Sequence, residues 1–222
     1  MGFTDEVRRA TDAMHQRIFA HPFVTGIGDG TLPLERFRFY VRQDYVFLVQ
    51  YSRVLALAVA KAPDLESMGK LAQLLHETLN TEMALHRGYC ARLGIGEAEL
   101  EATEAAPTTV AYTTFLLDVA ARGTFGETVA ALLPCQWGYC EIGERLASQG
   151  EPADAPLYAE WVRMYSSAEF RQLADWARGL ADRLAAQAGP DERRRMAEAY
   201  ATSTRYEYMF WEMAYRLEQW PV

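Results

Sequence analysis

Apolar residues recur at helical spacing along almost the whole chain, and this periodicity most limits what the chain can fold into. Positions three and four apart lie on one face of an α-helix, whereas a half-buried strand needs strict alternation. The segments between prolines and glycines follow the helical spacing and not the alternating one. The pattern therefore predicts an all-α protein, a helical bundle with its functional site between helices.

Proline, glycine and capping residues predict where the helices begin and end. Thr4 is expected to cap a helix to about Phe19, and the His21–Pro22 step to break the chain there. The glycines at 26, 28 and 30 predict a loop. Further helices are expected over residues 34–61, 64–93, 107–122 and 125–149, then to about 165, to about 188, and over 191–218. No repeat or linker interrupts the chain, so residues 1–222 are expected to form a single domain.

Composition excludes several classes of function. Half of the 222 residues are hydrophobic, which is too many for a disordered chain, and the formal net charge of −8 would repel a phosphate backbone. No apolar stretch is long enough to span a bilayer, and no secretion or lipidation signal is present at the N-terminus. Three cysteines form no disulfide framework. We expect no nucleic-acid or membrane partner, and a reducing cytoplasm as the location.

Cys135 is the strongest candidate for a nucleophile. It shares a helical stripe with Tyr139 and with aliphatic residues, and Pro134 beside it predicts a kink because proline lacks the amide donor that the preceding turn needs. A thiol near acids and aromatic rings is a candidate nucleophile. The same thiol among aliphatic side chains is usually a small buried hydrophobe, and this structural alternative stays open.

Two carboxylates stand in the middle of apolar stripes on different helices. Asp44 lies on the stripe that includes Tyr40 and Phe47, and Glu207 on the stripe that includes Phe210. An unpaired carboxylate is costly in such a position. Either the two acids serve a site, or each is held for structure alone by a tyrosine or an arginine such as Arg42 or Arg205.

Tyrosines on further buried stripes complete a predicted pocket. Tyr112 and Tyr165 would each be ordinary core residues with satisfied hydroxyls if considered alone. Together with Cys135, Asp44 and Glu207 they predict a cavity with flat apolar walls and a few polar groups, which fits a planar, nitrogen-rich ring.

The sequence does not favour a metal or haem site. A di-iron bundle needs repeated Glu-x-x-His pairs, and the nearest approach is a single set formed by Glu77, Glu82 and His86. His15 and His21 lie near helix ends, where a structural role is the more common one. We therefore expect no metal and no organic cofactor.

Four segments, residues 21–33, 39–45, 130–139 and 205–215, resemble the TenA/thiaminase II family. The resemblance extends over nearly the whole chain in order. It implies a haem-oxygenase-like helical fold without haem, and a homotetramer. It also implies thiamin salvage, in which 4-amino-5-aminomethyl-2-methylpyrimidine is hydrolysed to the 5-hydroxymethyl compound and ammonia, with cleavage of thiamin as the related activity.

The resemblance also implies roles for individual residues. Cys135 matches the family's nucleophile, Glu207 its acid–base glutamate, and Asp44 the carboxylate that binds the aminopyrimidine. The matching aromatic positions of the substrate pocket are Tyr51, Tyr112, Tyr139, Tyr165 and Phe210. Phe47 occupies a position that is tyrosine in some members, so one polar contact to the substrate is expected to be weaker.

Two other classes of function remain as alternatives. A regulatory or binding protein on the same fold would keep the pocket without turnover, although it would need neither Cys135 nor Glu207. A redox enzyme of the related fold would use haem, a di-iron centre or a quinone precursor.

Overall fold

Helices account for nearly all the regular structure of this protein, as the periodicity predicts. The structure is a computed structural model that describes residues 2–222, and this part of the chain contains no strand. Its α-helices are α1 (Phe3–Ala10), α2 (Asp12–Phe19), α3 (Pro22–Gly28), α4 (Leu34–Lys61), α5 (Leu65–Glu77), α6 (Met83–Arg92), α7 (Glu97–Glu101), α8 (Pro107–Arg122), α9 (Phe125–Leu133), α10 (Tyr139–Gln149), α11 (Pro156–Tyr165), α12 (Ala168–Gln187) and α13 (Pro190–Arg216).

Short π-helical segments interrupt two of the long helices that the sequence predicts as continuous. The first π turn (Thr78–Glu82) joins α5 to α6, and the second π turn (Pro134–Gly138) joins α9 to α10. Pro134 begins the second one, so the predicted kink takes the form of a local widening of the helix. Such π turns often lie at functional sites because they change which side chains face inward.

The predicted cap of the first helix is wrong. Thr4 lies inside α1, where its amide and hydroxyl both donate to the carboxylate of Asp182 on α12. The helix also ends early, because the chain leaves helical geometry at Thr11, whose hydroxyl donates to the carbonyl of Val7. The carboxylate of Asp182, far along the chain, thus accepts the hydrogen bonds at the start of α1 that a local capping residue is expected to accept.

The glycine loop predicted at residues 26–30 is also largely wrong. Gly26 and Gly28 lie in α3, and only Gly30 has a positive φ, of 79°. A Cβ at Gly28 would lie 2.7 Å from a methyl group of Leu146. This glycine therefore lies in a helix that packs near the Leu146 side chain, and not in a turn.

The long helices α4 and α13 run through the main core. Helix α13 packs against α9, α8 and α4, and α4 packs against α5, α6 and α8. Tyr40 and Trp211 stack at 5.6 Å between α4 and α13, and both are fully buried. A second core lies between α1, α9, α12 and α13. The carboxylates predicted on α4 and α13 therefore face each other across one bundle.

Helix α10 contacts α11 so closely that only glycine fits at residue 143. A methyl group there would lie 2.5 Å from the carbonyl carbon of Tyr165. We expect Gly143→Ala to lower the free energy of unfolding by about 1–3 kcal/mol, since overpacking displaces backbone. Urea denaturation measures this, with Gly69→Ala as the control.

The control has the opposite expected sign. Nothing lies within 4 Å of a Cβ at Gly69 on α5, so alanine there should raise stability by up to about 1 kcal/mol. Equal stabilities for the two variants would contradict the close contact between α10 and α11.

The helices also bear on membrane association. Within residues 2–222, none of them combines the length and the apolar character needed to cross a bilayer.

Candidate active site

The predicted site residues surround one cavity inside the bundle. The cavity encloses about 430 Å³, part of it open to solvent, between α4, α8, α13 and the second π turn. Its lining residues are Asp44, Phe47, Leu48, Tyr51, Glu82, Tyr112, Cys135, Gln136, Tyr139, Tyr165, Phe170, Glu207 and Phe210. All nine residues named from the sequence are among them.

The second π turn directs Cys135 and its neighbour into the cavity together. Cys135, Gln136 and Tyr139 all line it. The amide of Gln136 donates to the hydroxyl of Tyr51 at 2.6 Å. Gln136 does not lie on the predicted helical stripe of Cys135 and Tyr139. The wider π turn explains why its side chain nevertheless faces the cavity.

The hydroxyl of Tyr112 joins the thiol to the glutamate. It donates to Oε1 of Glu207 at 2.6 Å, and lies 3.1 Å from Sγ of Cys135 and 2.8 Å from Oγ of Ser203. Because the single phenol proton points to Glu207, the oxygen of Tyr112 can accept from both Ser203 and the S–H of Cys135. A proton path therefore runs from Cys135 through Tyr112 to Glu207.

Burial sets the protonation of this path. It raises the pKa of the Cys135 thiol well above its usual value, and the nearby Glu207 carboxylate raises that pKa further. Burial also raises the pKa of Glu207 to about 7, against the hydrogen bond from Tyr112 and the nearby thiol of Cys135, which lower it. The thiol is thus neutral at rest, and Glu207 can both accept and donate a proton near neutrality.

The raised pKa of Glu207 predicts a pH-dependent cost to stability. With a folded pKa of about 7 against 4.5 for the free group, folding favours the protonated form. The cost is absent below about pH 4.5, grows as pH rises, and is complete above about pH 7. We expect Glu207→Gln to increase the free energy of unfolding at pH 8 by on the order of 3 kcal/mol, and so to raise the melting temperature there. Near pH 4.5 the variant and the wild type should be equally stable.

Thermal unfolding measured from pH 4.5 to 8 tests this expectation. The exposed Glu198→Gln serves as the control, since no burial cost is relieved there. Parallel stability curves for wild type and Glu207→Gln would contradict the raised pKa.

Asp44 is paired with a histidine and not with the arginine or tyrosine considered as structural partners. Its Oδ2 lies 3.0 Å from Nε2 of His86, and both side chains are buried. Arg42 instead pairs with Glu99, and Arg205 is exposed. The partner of Asp44 could not be recognised from α4 alone, because it comes from another helix.

Aromatic rings form the walls of the cavity. The ring of Phe47 lies 5.1 Å from that of Tyr112 and 5.6 Å from that of Phe210, and Tyr139 lies 4.9 Å from Tyr165. These surfaces suit a flat ring that stacks on or against them. Phe47 offers no hydroxyl to it.

The remaining cysteines and histidines lie elsewhere. Cys140 contacts Glu144, and neither it nor Cys90 lines the cavity. The ring of His15 lies 3.2 Å from the hydroxyl of Tyr200. His21 caps α3 by accepting from the amide of Phe23. In the described part of the chain, no group of three His, Cys, Asp or Glu side chains is arranged to hold a metal ion.

Sequence reasoning did not assign several residues of the site to it. The sequence presents Glu82 and His86 only as an incomplete metal-ligand set, and their four-residue spacing is the available signal. Ser203 stands on the Glu207 stripe but gave no chemical signal of its own. The other unassigned lining residues are Leu48, Gln136 and Phe170.

Comparisons with known proteins agree with this geometry. The sequence profile of the TENA/THI-4/PQQC family matches residues 8–217. An aminopyrimidine aminohydrolase from Halalkalibacterium halodurans is 43% identical over 99% of this chain and 98% of its own length. The Bacillus subtilis protein of the same name is 40% identical over 99% and 92%.

Solved structures show the same fold. A TenA homologue from P. horikoshii OT3 superposes with a TM-score of 0.89 at 33% identity, covering 97% of this chain and 99% of the other. A haem-oxygenase-like domain from Shewanella denitrificans has a TM-score of 0.76 at 13% identity, over 96% and 92%, which extends the likeness to that fold class. The predicted all-α, haem-oxygenase-like fold is confirmed.

Proposed function

This chain belongs to the TENA/THI-4/PQQC family, and from that premise we propose that it is an aminopyrimidine aminohydrolase of thiamin salvage. It converts 4-amino-5-aminomethyl-2-methylpyrimidine and water to the 5-hydroxymethyl compound and ammonia. The observation that carries the proposal is the buried path Cys135–Tyr112–Glu207 beside Asp44 in an aromatic cavity. A nucleophile, a proton carrier and a ring-binding acid meet there.

Asp44 binds the substrate ring. The amino group of an aminopyrimidine donates a hydrogen bond to one oxygen of the carboxylate, and the adjacent ring nitrogen donates to the other oxygen when it carries a proton. The aromatic walls hold the ring plane. This arrangement places the electron-poor ring beside Cys135.

Cys135 and Glu207 carry out the substitution. The thiol proton moves through Tyr112 to Glu207, and the sulfur forms a bond to an electron-poor ring carbon. The methylene–nitrogen bond then breaks, with its electron pair on nitrogen and the proton of Glu207 delivered to the departing amine as ammonia. The product of this step is a neutral adduct with an exocyclic methylene group.

Water completes the reaction. Its oxygen adds to the methylene carbon and its proton goes to Glu207. The carbon–sulfur bond breaks, the ring regains aromaticity, and the sulfur recovers a proton through Tyr112. No proton or electron is left over, and the chemistry calls for no metal or organic cofactor.

Kinetics with two substrates test the function. We expect a higher kcat/KM for the aminomethylpyrimidine than for thiamin. Both substrates share the ring that Asp44 would hold, so the difference in rate depends on the leaving group. Thiamin releases a neutral thiazole and needs no proton from Glu207. Its second ring must also fit near Tyr112 and Phe210. Equal or faster consumption of thiamin in competition would reassign Glu207 to ring proton transfers and make the protein a thiaminase.

A regulatory role is the second candidate, because one similar structure is named a TenA family transcription regulator. That protein, from Silicibacter sp. TM1040, has a TM-score of 0.89 at 32% identity. Ligand sensing would use Asp44 and the aromatic walls but not the proton path to Cys135. Ligand binding with no turnover of either substrate would favour it.

We also propose that the enzyme is a homotetramer in the cytoplasm. Three free cysteines support a reducing compartment. The resemblance supports the tetramer. Light scattering would give a mass four times that of the chain.

A further inference from the structure

His86 is a buried histidine with one close polar neighbour. Its Nε2 lies 3.0 Å from Oδ2 of Asp44, and its side chain is 3% exposed. The contact is an ion pair, and neither ring nitrogen of His86 nor Oδ2 of Asp44 has a hydrogen-bond partner. A buried polar group with so few partners is costly to the fold, so a purely structural role explains it poorly.

The first π turn places two ionisable side chains on the Asp44 side of the cavity. Glu82 ends that turn and lines the cavity, and His86 follows four residues later on α6. Residues four apart in a helix share a face. Asp44 from α4 and Glu82 thus approach His86 from two elements, while the ring of Tyr89 meets it edge-on at 6.3 Å.

The charges around His86 favour its protonated form. Desolvation lowers the pKa of the imidazole, but the Asp44 carboxylate and then Glu82 outweigh it, and the net direction is upward. Burial also raises the pKa of Glu82 to about 7, which the nearby His86 opposes. A protonated imidazole next to Asp44 makes a charge-assisted contact with its carboxylate.

We propose that His86 is a positioning residue that fixes the Asp44 carboxylate, so that the remaining oxygen lone pairs of Asp44 face the cavity and accept hydrogen bonds from the amino group and the protonated ring nitrogen of the substrate. The inference rests on the proposed function. Each carboxylate oxygen has two lone pairs, so Oδ2 can meet His86 and the substrate together while Oδ1 stays free. His86 itself touches neither the substrate nor the reacting atoms.

Two amide replacements separate this role from simple packing. Glutamine can place its Nε2 near the ring Nε2 of His86 and reach Asp44, whereas the amide of asparagine corresponds to the ring Nδ1 and falls short. We expect His86→Asn to raise KM for the aminomethylpyrimidine about 10- to 100-fold with a much smaller change in kcat. His86→Gln should recover most of that loss, and the exposed His76→Gln should match wild type.

An NMR measurement on the wild-type protein tests the role of His86 even if the variants fold poorly. Nitrogen NMR of the imidazole is expected to show the pKa of His86 above that of a free imidazole, and a lower pKa in Asp44→Asn. A pKa of His86 that does not change in Asp44→Asn, or equal KM values for His86→Gln, His86→Asn and wild type, would overturn the proposal. If wild type does not turn over, the proposed function fails. The NMR titration and calorimetric binding of the hydroxymethyl compound to the same variants would then still decide the role of His86.

Discussion

Cys135→Ser is expected to hydrolyse the aminomethylpyrimidine slower than wild type by roughly three orders of magnitude or more. Serine keeps the size and the hydrogen bond to Tyr112, but its hydroxyl is a much poorer nucleophile than a thiol. The loss should therefore lie in kcat, with substrate affinity largely kept.

The two other cysteines provide matched controls. Cys90 and Cys140 are buried but do not line the cavity, so Cys90→Ser and Cys140→Ser should stay active. Near-normal turnover by Cys135→Ser would contradict covalent catalysis, and an equal loss in all three variants would point to misfolding.

Asp44→Asn and Glu207→Gln are expected to fail in different ways. Asparagine removes the negative charge and replaces one acceptor by an N–H donor, which cannot pair with a protonated ring nitrogen, so affinity for the hydroxymethyl product should fall about 10- to 100-fold. Glu207→Gln keeps the shape but cannot carry a proton, so kcat should fall about 10²- to 10⁴-fold while binding is largely kept.

Calorimetry and steady-state kinetics on the same preparations separate these outcomes. Affinities that changed equally in both variants would contradict the division of roles. A Glu207→Gln enzyme with normal kcat would remove the proton path from the mechanism.

The sequence reveals the acids and the thiol because of the positions they occupy. Burying an unpaired carboxylate in an apolar stripe costs free energy, and a thiol near acids and aromatic rings is a candidate nucleophile. Asp44 and Glu207 interrupt apolar stripes, and Cys135 shares a stripe with Tyr139. Helical spacing then suffices to place them inside, and the family resemblance suggests that they meet. All of them line the cavity.

What the sequence does not reveal depends on contacts between distant segments. His86 becomes significant only when α6 packs beside α4, and Gln136 only when the helix widens after Pro134. Thr4 is engaged by Asp182, far along the chain, so local capping rules misplace the first helix. Gly26 and Gly28 lie within α3 and pack near Leu32 and Leu146, whereas composition alone predicts a loop there.

Product analysis in ¹⁸O-labelled water tests the central claim most directly. Wild-type protein with 4-amino-5-aminomethyl-2-methylpyrimidine should release one ammonia per 5-hydroxymethyl product, with the solvent oxygen in the new hydroxyl and the ring 4-amino group retained. Absence of both products, or loss of the ring amino group in place of the aminomethyl nitrogen, would contradict the account.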